Sequence, residues 1–374
     1  MKILFYGGSF DPAHKGHAAL LAAAVREIKP DAAHIIPAYH SPFKERSNTP
    51  FELRMEMAKN AFKNISARLI FDNFEYKRQR KTYTCEIIEH LQKIYDKPEL
   101  FMLVGTDALN EIPSWKQPDF ILKNATAVAG KRAGLAAKEK LPFKYRILKT
   151  RLPKVSSSQI RLEILVNGEA DRTVGPSAGI ITKHRLYFLN LHDWLKKNLK
   201  ENRYLHTRSV AALSAQLAVI NDAYPERAAL SALLQDTGKS LPDKDLITYA
   251  KKCGIKPPFY DLILCHAPDL LHSYVSSHIA QTRFGITDEL ILNAVERHTL
   301  GAADMTVYDK VLYVADIASK DRKYKGAFTL RDLALKDLER AAMIAAGMKI
   351  IFTINEGKWL CPQGNITWNH LLKK

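Results

Sequence analysis

Short apolar runs alternate with amphipathic stretches over the first 190 residues. Residues 1–6, Met-Lys-Ile-Leu-Phe-Tyr, are mostly apolar and stop at Gly7-Gly8. Such a run bounded by glycine predicts a buried strand. Further strands are predicted at 33–37, 68–71, 100–104 and 125–129, with helices at 17–28, 51–62 and 84–95. Strand–helix alternation predicts an α/β layer with a parallel sheet and ligands at the carboxyl ends of its strands. Beyond residue 190 the pattern becomes helical. Helices are predicted at 192–198, 207–221, 228–234, 243–253, 274–284, 288–298, 307–319 and 330–345, so the second half reads as all-α. Residues 168–184, holding Gly, Pro and Ser, are the nearest thing to a connecting stretch.

Composition narrows the class. Of 374 residues, 47% are hydrophobic and 25% charged. These values exclude long disorder, a collagen repeat and a small disulfide scaffold. No apolar run approaches the roughly 18 residues that span a bilayer. The opening run is too short for a signal peptide. Cys85, Cys253, Cys265 and Cys361 are scattered, without a C-x-x-C pair. The expected compartment is therefore the reducing cytoplasm, with no membrane partner.

The formal charge of +17 is the unusual quantity. Residues 1–190 hold 31 Lys/Arg against 19 Asp/Glu, and residues 191–374 hold 25 against 20. An excess of this kind points to anionic partners. A nucleic-acid surface would interleave aromatic and basic residues, and no such motif stands out, so nucleic acid is not the expected partner. The run Lys77-Arg78-Gln79-Arg80-Lys81 reads either as a phosphate contact or as a solvated loop.

The densest chemistry is Gly7-Gly8-Ser9-Phe10-Asp11-Pro12-Ala13-His14-Lys15-Gly16-His17, which follows a strand and opens a helix. Glycines let the backbone approach a ligand, and a helix N-terminus attracts an anion. His14 and His17 are three apart and share a face of the first turn. Two imidazoles beside backbone N–H groups suit a polyphosphate whose charge grows in a transition state.

This string resembles the H-x-G-H nucleotidyltransferases. Val155-Ser156-Ser157-Ser158-Gln159-Ile160-Arg161 resembles their second motif, with Ser158 where Thr is more usual. Three further segments resemble the bacterial nicotinate-nucleotide adenylyltransferases (the NadD family). They are Pro37-Ala38-Tyr39-His40-Ser41-Pro42-Phe43-Lys44, Tyr83-Thr84, and Gly105-Thr106-Asp107 followed by Trp115. The resemblance covers 1–188 and implies a Rossmann-like domain there. It implies that ATP, carried with Mg²⁺, transfers its adenylyl group to nicotinate mononucleotide. His14, His17, Lys44 and Arg161 would be the catalytic set. Gly7, Gly8, Ser9, Phe10, Tyr83, Thr84, Gly105, Asp107, Trp115, Ser157 and Ser158 would bind the substrates, with Trp115 stacked on the pyridine ring.

The second half carries His206, Asp236, His272, His298 and Asp316, each within or beside a different predicted helix. Histidines and carboxylates projecting into a bundle suit hydrolytic metals. Arg203-Tyr204-Leu205-His206-Thr207, Gln235-Asp236-Thr237-Gly238-Lys239, His298-Thr299-Leu300-Gly301 and Tyr313-Val314-Ala315-Asp316 resemble the HD-type phosphohydrolases. The likeness is to the YqeK branch, which splits diadenosine tetraphosphate symmetrically. It implies a helical domain over 189–374, iron or manganese at those five residues, and dinucleoside polyphosphates as substrates. The family's His-Asp pair is Gln235-Asp236 here, and a carboxamide is a weak ligand for a transition metal.

Several readings stay open on sequence alone. The transferase half could take another cosubstrate, such as pantetheine phosphate, or the chain could be a basic nucleic-acid-binding protein with a non-catalytic HD domain. The HD half could be a working hydrolase with Gln235, His266 or His278 compensating. It could also be a degenerate metal-poor domain or a single-metal enzyme.

Overall fold

Strand β1 (Lys2–Gly8) lies at the centre of a six-stranded sheet in the computed structural model of the protein. The structure describes residues 1–39, 49–132, 141, 143–170 and 174–372. Ile3, Leu4, Phe5 and Tyr6 are all at most 5% exposed, because a parallel strand is covered on both faces. The other strands are β2 (Ala32–Pro37), β3 (Leu69–Phe71), β4 (Glu99–Val104), β5 (Ala125–Arg132) and β6 (Tyr145–Leu152). Their order is β3-β2-β1-β4-β5-β6, and every pair is parallel. The order reverses between β1 and β4. The carboxyl ends of these neighbours, Gly7-Gly8 and Val104-Gly105, therefore flank the switch-point crevice where such sheets bind ligands.

Five strands are expected from the sequence, and the sheet has six among the described residues. β6 carries Arg146, Lys149 and Arg151 among its apolar residues, which hides it from an apolar-run reading. It is the last strand of the sheet, where charges blunt an exposed edge.

The chain divides into two compact units: Met1–Arg161 with Glu169–Tyr187, and Leu162–Gly168 with Phe188–Lys374. The short segment joins the second unit because Leu165 is buried in that unit's core with Leu191 and Leu195. In addition, the His192 ring bonds to Leu165 O at 2.7 Å.

In the second unit the described residues between 189 and 372 form helices and turns. The helix Val307–Ala318 is its centre. Val311, Leu312, Tyr313, Val314 and Ala315 are all at most 2% exposed, so this helix is packed on every side. A capping box starts it. Thr306 Oγ1 accepts from Asp309 N at 3.3 Å, and Asp309 Oδ2 accepts from Thr306 N at 2.7 Å. The single helix expected at 330–345 is two, Lys325–Ala334 and Leu338–Asn355. Asp337 divides them by capping the second helix, its carboxylate accepting from Arg340 N at 2.9 Å. No helix among the described residues is long and apolar enough to cross a membrane.

Candidate functional site

The first site is built on the loop between β1 and the helix Lys15–Ile28. His14 is the N-cap of that helix, and its side chain accepts from Gly16 N at 3.1 Å and His17 N at 3.4 Å, both at Nδ1. His17 Nδ1 accepts from His14 N at 3.3 Å. A ring nitrogen that accepts carries no proton, so each neutral imidazole holds its proton on Nε2. The two rings stack with centroids 3.8 Å apart. The helix terminus thus fixes two N–H donors side by side. Gly16 permits this, since a Cβ there would come within 3.0 Å of the His14 ring and 2.9 Å of Val155.

Phe10 was expected among the substrate-binding residues. The structure uses its side chain differently: the ring is 1% exposed and packs edge-on against Tyr6 and Phe62. The backbone at Phe10 has φ +49°, so this anchor holds a turn that a non-glycine residue rarely adopts. At Gly7 and Gly105 an added Cβ would meet nothing within 4 Å.

The second motif closes on the same loop. Ser156 Oγ accepts from Gln159 N at 3.2 Å as a helix cap. Ser157 Oγ donates to Pro12 O at 3.0 Å, and Arg161 Nη1 donates to Asp11 O at 2.7 Å. Arg161 Nη2 reaches the Ser158 hydroxyl at 3.4 Å. Asp107 is exposed in the first turn of the helix Thr106–Glu111, directly after β4. Thr106 Oγ1 ties that turn to Gly130 O at 2.7 Å. Tyr83 and Trp115 both pack on the sheet's apolar core, and Lys116 Nζ stands 4.5 Å from the Tyr83 ring centre. Thr84 opens the helix Thr84–Ile94. Arg78 and Arg80 are not simply solvated, because both bond to Glu86 Oε1, at 2.7 and 2.6 Å. Lys44, with residues 40–43, lies outside the described residues.

Three residues that sequence reasoning missed hold the loop. Arg54, 3% exposed, donates to Ser9 O at 2.9 Å, Ala38 O at 2.7 Å and Thr49 O at 3.2 Å. Ser177 Oγ donates to Ala13 O at 2.6 Å, and Tyr187 OH donates to Asp11 Oδ1 at 2.6 Å.

The second site lies at helix ends in the helical unit. Asp236 follows the helix Pro225–Leu234, His272 opens His272–Phe284, and His298 follows Glu289–Arg297. One ligand atom from each of these three falls within 4.8 Å of the others, and all three residues are buried. His272 Nδ1 donates to Asp269 O at 2.6 Å and His298 Nδ1 to Val295 O at 2.7 Å, since a carbonyl only accepts. Each Nε2 is then a lone pair. The two face each other at 3.3 Å, and Asp236 Oδ1 lies 3.6 Å from His272 Nε2. Thr299 Oγ1 reaches both Nε2 atoms but carries one proton. Three acceptors converging on so little hydrogen fit a divalent cation. Burial pushes His272 down to about 3, aided by Lys239 and His298, and lowers His298. Both rings are therefore neutral, as ligands must be.

The other two expected ligands pair with each other beside this group, near enough for Asp316 to act on His298 and Asp236. His206 Nε2 lies 3.2 Å from Asp316 Oδ1, and His206 Nδ1 lies 2.7 Å from Asp321 Oδ2. Burial works against charge on His206, but the two carboxylates outweigh it and its pKa is raised. Gln235 is fully buried, and neither its Oε1 nor its Nε2 has a hydrogen-bond partner. His266 is exposed and stacks on Trp359, while His278 Nδ1 bonds Tyr249 OH at 3.0 Å. Neither belongs to the metal-ligand group.

A parallel sheet of this order with a histidine-capped helix after its first strand defines a nucleotidyltransferase. The buried histidines and aspartates of the second unit define an HD-type domain. The chain matches the cytidylyltransferase-like family over residues 5–163 and the HD-domain family over residues 203–321. It is 35% identical over 166 residues to a "Probable nicotinate-nucleotide adenylyltransferase" of Helicobacter pylori, covering 44% of this chain and 92% of that protein. It is 30% identical over 178 residues to the "Bis(5'-nucleosyl)-tetraphosphatase, symmetrical" of Bacillus subtilis, covering 48% of this chain and 94% of that one. A Mycoplasma genitalium protein named "Probable nicotinate-nucleotide adenylyltransferase/Ap4A hydrolase" is 28% identical over 328 residues, 86% of this chain and 88% of its own length. The chain belongs to the nicotinate-nucleotide adenylyltransferase family in its first half and to the HD-domain family in its second.

Proposed function

We propose that the first unit joins ATP and nicotinate mononucleotide into nicotinate adenine dinucleotide. The observation that carries this reading is the reciprocal capping of His14 and His17, with both Nε2 protons on one helix terminus. A phosphate oxygen of the mononucleotide attacks the α-phosphorus of ATP in line. The bond from that phosphorus to the β-phosphate's bridging oxygen breaks, and pyrophosphate leaves. No protein nucleophile takes part, so catalysis is positioning and charge stabilisation. His14 and His17 donate to the transferring phosphoryl group as its charge grows. Arg161 and Lys44 hold the β- and γ-phosphates, with Mg²⁺ arriving on the triphosphate. Gly7, Gly8 and Ser9 offer backbone to the nucleotide. Asp107, Ser157 and Ser158 border it, and Tyr83, Thr84 and Trp115 receive the pyridine ring. Comparing turnover of nicotinate mononucleotide with that of pantetheine phosphate tests this assignment, and preference for the latter defeats it.

For the second unit we propose hydrolysis of dinucleoside polyphosphates at a centre of Asp236, His272 and His298. Two imidazoles and one carboxylate suit iron or manganese. Held there, such an ion would lower the pKa of a bound water and so supply hydroxide near neutral pH. The backbone carbonyls of Asp269 and Val295 orient the two imidazoles by fixing their tautomers. Cleavage of diadenosine tetraphosphate into two ADP molecules, lost in His272→Ala, is the expected result. A cytoplasmic location, where such nucleotide substrates are found, is part of this proposal.

A further inference from the structure

Lys349, on the helix Leu338–Asn355, is turned inward. Its Nζ donates to His298 O at 2.5 Å, stands 3.8 Å from Asp316 Oδ2, and lies 3.8 Å from the centre of the Tyr313 ring. Only 20% of its side chain is exposed. The ammonium is held in place by a carbonyl, a carboxylate and a ring face. Arg322 Nη2 stands 3.8 Å from the other oxygen of Asp316, Oδ1, which also faces His206. Asp316 therefore meets a cationic group at each of its oxygens.

Asp236 differs. Its Oδ2 bonds Arg203 at 2.7 Å, while its Oδ1 faces His272 and the acceptor cluster. One oxygen is committed to a cation and one is aimed at the two imidazoles. A divalent ion on Asp236, His272 and His298 gains two neutral nitrogens and a carboxylate. An ion on Asp316 would meet a cation at both carboxylate oxygens, Lys349 at one and Arg322 at the other, whereas Asp236 keeps one oxygen clear of its Arg203 partner. Gln235 brings no imidazole to offset that repulsion, only a neutral carboxamide.

We infer that this centre holds a single divalent cation, on Asp236, His272 and His298, and that Lys349 is the built-in cation that keeps a second ion off Asp316. The inference rests on reading the three acceptors as a metal centre. Its test counts ions and needs no turnover. Failure to cleave diadenosine tetraphosphate would sink the proposed activity and leave the count standing.

The probe is Mn²⁺ added to the metal-stripped full chain. Elemental analysis after removal of excess metal gives the stoichiometry, and electron paramagnetic resonance distinguishes an isolated ion from a coupled pair. The wild type is expected to retain one equivalent with the hyperfine-split spectrum of an isolated ion. His206→Ala is expected to keep that ion and His272→Ala to lose it. The double variant Lys349→Met with Gln235→His is expected to take up a second equivalent, with the isolated-ion signal replaced by that of a coupled pair. Two equivalents in the wild type, or none, would overturn the inference. So would loss of the ion in His206→Ala. A folded double variant that still binds one would remove Lys349 from it.

Discussion

His14 and His17 cap each other: each Nδ1 accepts the other residue's backbone N–H, at 3.4 and 3.3 Å, while the rings stack at 3.8 Å. The capping bonds use one edge of each ring, and the proposed chemistry uses the other. Asn retains a cap acceptor without the Nε2 donor, so His14→Asn separates the two roles. It is expected to lower kcat by roughly 10²–10³-fold, the usual loss for one transition-state donor. Its unfolding midpoint should stay near wild type. His14→Ala should show the same rate loss and also cost about 1 kcal/mol of stability. Steady-state kinetics and thermal melts on both variants make the comparison.

Arg54 should matter to stability more than to chemistry. It is nearly fully buried and satisfies three backbone carbonyls, two of them at Ser9 and Ala38 beside the β1 and β2 ends. Arg54→Met strands those acceptors at a cost of roughly 2–4 kcal/mol, since each buried unsatisfied group carries its own desolvation penalty. Urea unfolding measures this. The surviving folded fraction should show a raised KM for ATP, because the Ser9 loop is no longer pinned.

The helical unit should lose stability in acid partly through His192. The ring is fully buried, bonding Leu165 O at 2.7 Å and Tyr204 OH at 3.1 Å, and burial pushes its pKa down to about 4. Between that value and the ordinary value of about 6.5, only the unfolded chain binds the proton. The contribution is therefore complete above about pH 6.5 and is lost as pH falls toward 4, amounting to roughly 3 kcal/mol. His192→Gln removes the titrating ring. The wild type should lose that much more stability than the variant between about pH 7 and about pH 4, read from urea melts at each pH.

Gly238 should control metal affinity without being a ligand. A Cβ there would lie 2.4 Å from His272 O, so Gly238→Ala must push the start of the helix that carries His272. The expected outcome is at least tenfold weaker Mn²⁺ binding by calorimetry. A ligand held only by the native state raises its stability by mass action. Chelation should therefore lower the melting transition of the wild type and move that of Gly238→Ala less.

What could be read from the sequence was what is local. The first five strands are mostly apolar runs, and the paired histidines sit in one eleven-residue string. β6 escaped because its charges interrupt the run, and the break at Asp337 because the apolar spacing continues across it. The contacts of Arg54, Ser177 and Tyr187 with the loop span 45, 164 and 176 positions, and no motif announces them. The division of the HD residues into three and two was equally hidden. The role proposed for Lys349 was hidden too, since this lysine has no recognisable neighbourhood in the chain. The basic excess became partly intelligible: Arg78 and Arg80 bind Glu86, and Arg146 lies over the Phe101 ring.

The most direct test of the account is the rate of pyrophosphate release by the intact chain from ATP and Mg²⁺, with and without nicotinate mononucleotide, in wild type and His17→Gln. Gln at this position keeps the capping-box acceptor but not the imidazole. Release should depend on nicotinate mononucleotide, yield nicotinate adenine dinucleotide in equal amount, and fall at least a hundredfold in the folded variant. Release that proceeds equally with pantetheine phosphate, or that survives in His17→Gln, would contradict it.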